Sequence, residues 1–179
     1  MNNIKQKSVL STTNIDRSIK YISAGSFFTD GKLVLCGYQQ NKKVFNISGF
    51  GGKKELRDKS YIETAIRETI EELLNMVPDK ETINNVNMNI IHKNVFIQDE
   101  YCMLTYTFDD LETILQILSK YHVKSNLYDN FPMTISELIF NRKIDPKLEI
   151  SHLCLLPLKE NILIDNDFIK DINYFLAQK

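Results

Sequence analysis

The sequence predicts an α/β protein, an α/β/α sandwich with a mixed sheet. Short runs of apolar and β-branched residues, typical of strands, alternate with segments of helical periodicity. A central helix has one acidic face and one apolar face, and the apolar face should pack on a sheet. The length of 179 residues and the 43% hydrophobic fraction suit a single domain, residues 1–179, with a real core.

The N-terminal third is predicted to contain three strands. Residues 1–17 carry no clear pattern and are expected to be loosely ordered. Strands at 20–28 and 32–38 flank the turn residues 29–31, a pattern that favours a hairpin. A short strand at 43–47 then leads into a glycine-rich segment.

The central helix is predicted over residues 61–77. At about 100° per residue, Glu71 and Glu72 fall within roughly 60° of Glu68, one on each side. The apolar side chains lie on the opposite face: Ile62, Ile66, Ile70, Leu73 and Val77. Ser60 and Glu63 fit a capping box at the start of the helix.

The rest of the chain is predicted to contain three strands and three helices. The strands cover 86–97, 101–108 and 149–156, and the helices cover 111–121, 134–141 and 166–177. The segment 123–147 is the least regular stretch. Loops of this size are often functional, so this segment is expected to help shape a substrate pocket.

The glycine-rich segment and the acidic helix face together predict a cation site. Three of the six glycines lie within residues 49–52, which predicts an exposed turn whose backbone can approach a ligand closely. The competing interpretation is a solvated charged face, since Arg67 has carboxylates four residues away on both sides. Glu68, Glu71 and Glu72 repel one another at this spacing, which favours a bound cation and hence a diphosphate substrate.

These residues resemble the Nudix hydrolase superfamily, whose signature reads G-x5-E-x7-R-E-U-x-E-E-x-G-U with U a bulky apolar residue. Gly52 looks like the opening glycine, and residues 51–55 are similar to the frequent GGK-x-E opening. Arg67, Glu68, Glu71 and Glu72 match the R-E-x-x-E-E core without a gap. The match covers about an eighth of the chain and implies the Nudix sandwich fold.

The sequence departs from this signature in its spacing and at three positions. Gly52 and Arg67 are one residue further apart than in the signature, so its first glutamate has no clean counterpart. That glutamate holds the arginine in the family, and either Asp58 or Glu63 is expected to do so here. Thr69 replaces an apolar residue, and residues 73–75 lack the late glycine.

The resemblance implies a role for each matched residue. Glu68, Glu71, Glu72 and the carbonyl of Gly52 would hold Mg²⁺, with Mn²⁺ as an alternative. Glu71 or Glu68 would help to deprotonate water. Arg67 would orient a glutamate within the catalytic group.

Further candidates lie around this core. Lys53, Lys54 and Glu55 are expected to contact substrate, although turn lysines are equally often solvated. Many family members take another acid from a loop before a late strand. The candidates for it are Glu137, Asp145 and Glu149.

The implied reaction is hydrolysis of a phosphoanhydride bond in a nucleoside diphosphate linked to a group X. The net charge of −1 slightly favours a small nucleotide or another diphosphate over a nucleic acid. Capped RNA, cleaved by an mRNA-decapping enzyme, is the alternative substrate. A catalytically silent Nudix-like binding module is the second alternative. The sequence leaves the oligomeric state open.

Cysteine, histidine and hydropathy patterns suggest a cytoplasmic protein. Cys36, Cys102 and Cys154 are widely spaced in apolar runs and are expected to be buried thiols, without a disulfide framework or a zinc site. The three histidines are scattered. No stretch is apolar enough to predict a membrane segment, and the N-terminus lacks a signal-peptide core.

Overall fold

The structure, a computed structural model, describes residues 19–40, 46–121, 123–159 and 164–178. The segment 1–17, most of the predicted strand 43–47 and His122 lie outside these ranges. The strands are β1 (Ser23–Phe28), β2 (Leu33–Tyr38), β3 (Ile47–Ser48), β4 (Phe50–Lys53), β5 (Asn94–Gln98), β6 (Tyr101–Tyr106) and β7 (His152–Pro157). The helices are α1 (Tyr61–Leu74), α2 (Lys80–Asn89), α3 (Phe108–Lys120), α4 (Ile135–Phe140) and α5 (Asn166–Leu176).

The strands form two sheets. A four-stranded sheet has the order β4-β1-β6-β5, in which β1 pairs parallel to β6 and antiparallel to β4. A three-stranded antiparallel sheet has the order β3-β2-β7. The predicted hairpin between β1 and β2 was therefore wrong. The two strands belong to different sheets, and an isolated bridge between Thr29 and Val34 marks the point where they meet.

The four-stranded sheet lies between helices, which confirms the predicted α/β class with a mixed sheet. Side chains of a strand alternate between its two faces. On one face, Ala24, Phe28 and Leu104 join the core that contains α1 and α3. On the other face, Phe27 and Met103 join a second core with α5 and the three-stranded sheet.

Helix α1 begins and ends where its local sequence favours a boundary. The Ser60 side chain accepts the Glu63 amide, as a capping residue should. The helix is shorter than predicted, because Asn75 adopts a left-handed conformation with a φ of 50°. Thr69, which replaces an apolar residue of the signature, donates to Ser26 on β1 at 2.7 Å and so helps to dock the helix on the sheet.

Two local predictions were wrong for identifiable reasons. The predicted strand 86–97 is helical up to Asn89, because Asp79 caps α2 and the buried Ile83 and Val86 follow helical spacing. Only its last part is the strand β5. The glycine-rich segment was interpreted as a bare turn, whereas residues 50–53 form β4 and pair with β1.

Glycine is required in β4 because two backbones approach closely there. A Cβ atom at Gly51 would lie 2.6 Å from the Cα of Gly25 and 2.8 Å from the carbonyl oxygen of Ala24.

Within the described ranges, no helix is both long and apolar enough to cross a membrane.

Candidate active site

Arg67 is the organising residue of the candidate site. Its side chain is only 1% exposed, and it donates to Asp58 at 2.9 Å and to the Lys53 carbonyl at 2.8 Å. Asp58 therefore holds the arginine, whereas Glu63 accepts the amide of Lys59 at 2.9 Å. Burial opposes the charge on Asp58, but its hydrogen bonds from Arg67 and neighbouring groups keep the pKa of its carboxyl below the usual value.

The remaining guanidinium nitrogen of Arg67 links two of the three helix acids. Its Nη1 atom lies 2.8 Å from Glu68 Oε1 and 2.9 Å from Glu71 Oε2. The other oxygen of Glu71 pairs with Arg57 at 3.0 Å. A fork of fixed donors orients carboxylates more strictly than an ammonium group does. Arg67 thus holds the carboxylates of Glu68 and Glu71 next to each other.

Gly52 and Glu68 are in direct contact across the site. A Cβ atom at position 52 would lie 2.4 Å from Glu68 Oε1 and 2.6 Å from Oε2. The carboxylate of Glu68 occupies the space that any larger residue at 52 would fill. Gly52 and Glu68 both belong to the signature and are far apart in sequence, and the structure brings them into contact.

Glu72 points to the other end of the site. Its Oε2 accepts the Gly51 amide at 2.9 Å. Burial raises the pKa of Glu72 well above its usual value, and the nearby carboxylates of Glu149 and Glu68 add to the rise. The carboxylates of Glu149, Glu68 and Glu71 therefore crowd around Glu72.

The donor types in this region fit a hard divalent ion, because Mg²⁺ and Mn²⁺ prefer carboxylate and carbonyl oxygens. Across the described residues, however, no three acidic, histidine or cysteine side chains are already arranged to hold a metal. The contacts of Arg67 explain this arrangement: it draws Glu68 and Glu71 to one nitrogen, while Glu72 turns to a backbone amide. Joint ligation requires these side chains to rotate.

A cleft of about 540 Å³ opens beside Glu72 and β4. Its walls come from β4, the β5–β6 turn, the segment before β7 and the start of α5. Seven of its lining residues are acidic: Glu72, Asp99, Glu100, Glu149, Asp165, Asp167 and Asp171. Lys170 also lines it but pairs with Asp167 at 2.7 Å. The charged residues that line the cleft are thus predominantly acidic.

Asp171 on α5 and Tyr101 on β6 both line the cleft. Burial, followed by the charge of Asp167, raises the pKa of Asp171 to about 7. Burial also raises the pKa of Tyr101 well above its usual value, so its hydroxyl stays protonated. Tyr101 can therefore act as a donor toward Asp171 or a ligand.

The three residues predicted to contact substrate, Lys53, Lys54 and Glu55, lie outside the lining of the cleft. Lys53 is exposed, and the Lys54 ammonium lies 4.6 Å from the centre of the Tyr21 ring, so neither lysine lines the cleft. Glu55 pairs with Arg57 at 2.7 Å.

Of the three additional acids considered, one reaches the cleft. Glu149 lines it and accepts from Gln39 at 3.2 Å. Glu137 instead accepts the Met133 amide at 2.7 Å, and Asp145 accepts the Lys147 amide at 2.9 Å. The latter two carboxylates stabilise their own turns.

Sequence reasoning missed Arg142, which joins two parts of the site. It is 8% exposed and donates to the carbonyls of Glu72 at 3.0 Å and Ile150 at 2.8 Å, as well as to that of Leu73. It thereby ties the last turn of α1 to the segment that carries Glu149. A cation suits the negative end of a helix. The arginine sits in the irregular segment 123–147, where no periodicity marks it as buried.

Several solved structures are similar to the chain, whereas no family model and no curated protein matches it. Among solved structures, it is similar to a bifunctional NMN adenylyltransferase/ADP ribose pyrophosphatase from Francisella tularensis, complexed with AMP and a Mn ion. That similarity has a TM-score of 0.49 and 13% identity, and covers 89% of this chain and 42% of the other. A second structure of the same protein gives a TM-score of 0.48, 14% identity, and coverage of 89% and 41%.

A third similar structure is a hydrolase of the NUDIX family from Clostridium perfringens. Its TM-score is 0.39, with 13% identity over 89% of this chain and 97% of that one. The chain spans less than half of the Francisella protein.

Proposed function

We propose that the protein is a divalent-metal-dependent pyrophosphohydrolase of the Nudix type. The observation that carries this proposal is the buried Arg67 network, which holds Glu68 and Glu71 beside Gly52 at the edge of a cleft that Glu72 lines. A fully buried arginine between carboxylates is a costly arrangement. Positioning of catalytic acids is a physical reason to retain it.

In this proposal, Glu68, Glu71, Glu72 and the carbonyl of Gly52 would hold Mg²⁺ or Mn²⁺ once the glutamate side chains have rotated toward one another. The bound ion would supply polarisation of a phosphoryl oxygen and a lower pKa of water. Glu68 or Glu71 accepts the proton of the attacking water. Arg67 keeps both carboxylates on the same side of α1, and the Gly51 amide orients Glu72.

The charge of the cleft supports a small nucleotide or another small diphosphate as the substrate class. Acidic side chains repel a phosphate chain unless cations intervene. The diphosphate therefore lies toward the metal-binding glutamates, and the group X lies in the cleft. An extended RNA needs a basic path for its backbone, and the acidic lining does not supply one.

Turnover of a substrate panel tests the proposal. The panel contains nucleoside triphosphates, dinucleoside polyphosphates, nucleotide sugars, ADP-ribose and capped RNA, each with Mg²⁺, with Mn²⁺ and with EDTA. We expect Glu71→Gln and Glu72→Gln each to lower turnover by at least ~100-fold, as loss of a charge-stabilising group does. Glu81→Gln, the same change on the exposed side of α2, is the matched control and should retain full turnover.

A catalytically silent binding module is the second candidate. It is favoured by the ion pairs of Glu71 with Arg67 and Arg57, which leave the acids outside a ready ligand geometry. In that case, the folded wild type and Glu71→Gln would be equally inactive on every substrate with either metal. Calorimetry would then detect nucleotide binding without released product.

A further inference from the structure

Two cysteines face each other across the three-stranded sheet. Cys36 on β2 is directly opposite Cys154 on β7. The Leu158 amide donates to the Lys32 carbonyl at 2.9 Å, and Pro157, which has no amide proton, is opposite Leu33. Hydrogen-bonded pairs recur every second residue along an antiparallel ladder, starting here from Lys32 and Leu158. Cys36 and Cys154 are therefore also a hydrogen-bonded pair, in which Cα atoms are about 5.5 Å apart.

This geometry allows a strained disulfide. Disulfides join residues whose Cα atoms are about 4.4–6.8 Å apart, a range that a hydrogen-bonded pair meets. The Cβ atoms of such a pair are about 5.5 Å apart, wider than the roughly 3.5–4.5 Å of a disulfide, so the strands must shift and the bond would be readily reduced. Opposed residues of paired strands also point to the same face of a sheet. Cys36 is part of the second core, and Cys154 packs against that core. Cys102 belongs to the first core, on the other side of the four-stranded sheet. All three thiols are free in the structure.

The two thiols are chemically unequal. The Cys36 thiol is completely buried and donates to the Val34 carbonyl at 3.3 Å, and the neighbouring Cys154, followed by burial, raises its pKa far above the usual value. Cys154 is partly exposed to solvent, and the neighbouring Cys36 lowers its pKa although burial opposes the change. The thiolate is the reactive form of cysteine. Cys154 is therefore suited to react first and Cys36 to react second.

We propose that Cys36 and Cys154 are a redox-active dithiol that hydrogen peroxide converts to a disulfide. The Cys154 thiolate attacks a peroxide oxygen, the O–O bond breaks, and a sulfenic acid forms with release of hydroxide. Cys36 sulfur then attacks the Cys154 sulfur, the S–O bond breaks, and water leaves. The protons of the two thiols end in two waters, so two electrons pass from the sulfurs to the peroxide.

The site of this modification is connected to the cleft. Beyond Tyr38, the strand β2 continues into Gln39, whose side chain donates to Glu149 just before β7. The disulfide would link the two strands that carry this pair. The proposal does not depend on the proposed hydrolase activity, because its readout is the state of the thiols.

Thiol counting in the folded full-length protein tests the proposal. Wild-type protein is treated with hydrogen peroxide, quenched with catalase, alkylated in denaturant and digested for mass spectrometry. We expect loss of two of the three thiols, a mass lower by two hydrogens, and a peptide that joins Cys36 to Cys154. Dithiothreitol should restore all three thiols. Three free thiols after treatment, or a bond that involves Cys102, would overturn the proposal.

Single substitutions test the order of the two steps. Cys36→Ser should accumulate a sulfenic acid at Cys154 that dimedone labels, and Cys154→Ser should keep both of its thiols. Cys102→Ser, the matched control, should oxidise as the wild type does. Dimedone on Cys36 in the Cys154→Ser protein would contradict the assigned order. The wild-type experiment alone decides the proposal if a variant fails to fold.

Discussion

Replacement of Gly52 by alanine tests whether the position of Glu68 controls catalysis. The new Cβ atom would lie 2.4 Å from Glu68 Oε1, whereas ordinary contacts begin at 3.4 Å. The carboxylate must therefore retreat by about 1 Å, and a misplacement of that size can lower a rate by about 100-fold. The moved group is a flexible side chain, so the free energy of unfolding should change by less than about 1 kcal/mol.

The assay measures kcat and KM of Gly52→Ala on the best substrate of the panel, together with urea denaturation. A double-mutant cycle with Glu68→Gln then isolates the coupling. If the alanine acts through Glu68, it should have little further effect in the Glu68→Gln background. Wild-type turnover in Gly52→Ala, or full additivity in the cycle, would refute the reasoning.

Three further changes test other parts of the structure. Asp58→Asn removes the buried carboxylate that faces Nε and Nη2 of Arg67, while Glu68 and Glu71 still pair with Nη1. Urea denaturation should therefore show a loss of about 1.5–3 kcal/mol. A loss below about 1 kcal/mol, the size expected for an exposed pair, would contradict this. Arg142→Met removes the guanidinium that donates to the carbonyls at the end of α1, so the free energy of unfolding should fall by at least about 2 kcal/mol and turnover should also fall. Arg142→Lys should restore neither quantity, because one ammonium cannot span the same carbonyls. Burial lowers the pKa of His92 below 6.5, so the unfolded chain binds the proton more readily and the free energy of unfolding should fall as pH drops below 6.5. In His92→Phe this component should disappear, and identical pH profiles of the two proteins would count against it.

The features that the sequence predicted well are those set by local geometry. Residues 67, 68, 71 and 72 share one side of α1 because residues three and four positions apart are neighbours on any helix. The Ser60 cap and the apolar face of α1 follow from the same short-range rules. The alternation of strand segments with helical segments along the chain likewise predicted the α/β class with a mixed sheet. The strand predicted over 86–97 failed because its apolar residues also satisfy helical spacing, and the Asp79 cap selects the helix.

The tertiary structure decided the contacts between distant segments. Asp58 rather than Glu63 reaches Arg67, Glu149 rather than Glu137 or Asp145 lines the cleft, and Arg142 links α1 to the segment before β7. No periodicity specifies these pairings, since they depend on strand register and on how α1 packs against the sheet. The sequence by itself thus determined which acids share a helix face, whereas packing determined which partners hold those acids in place.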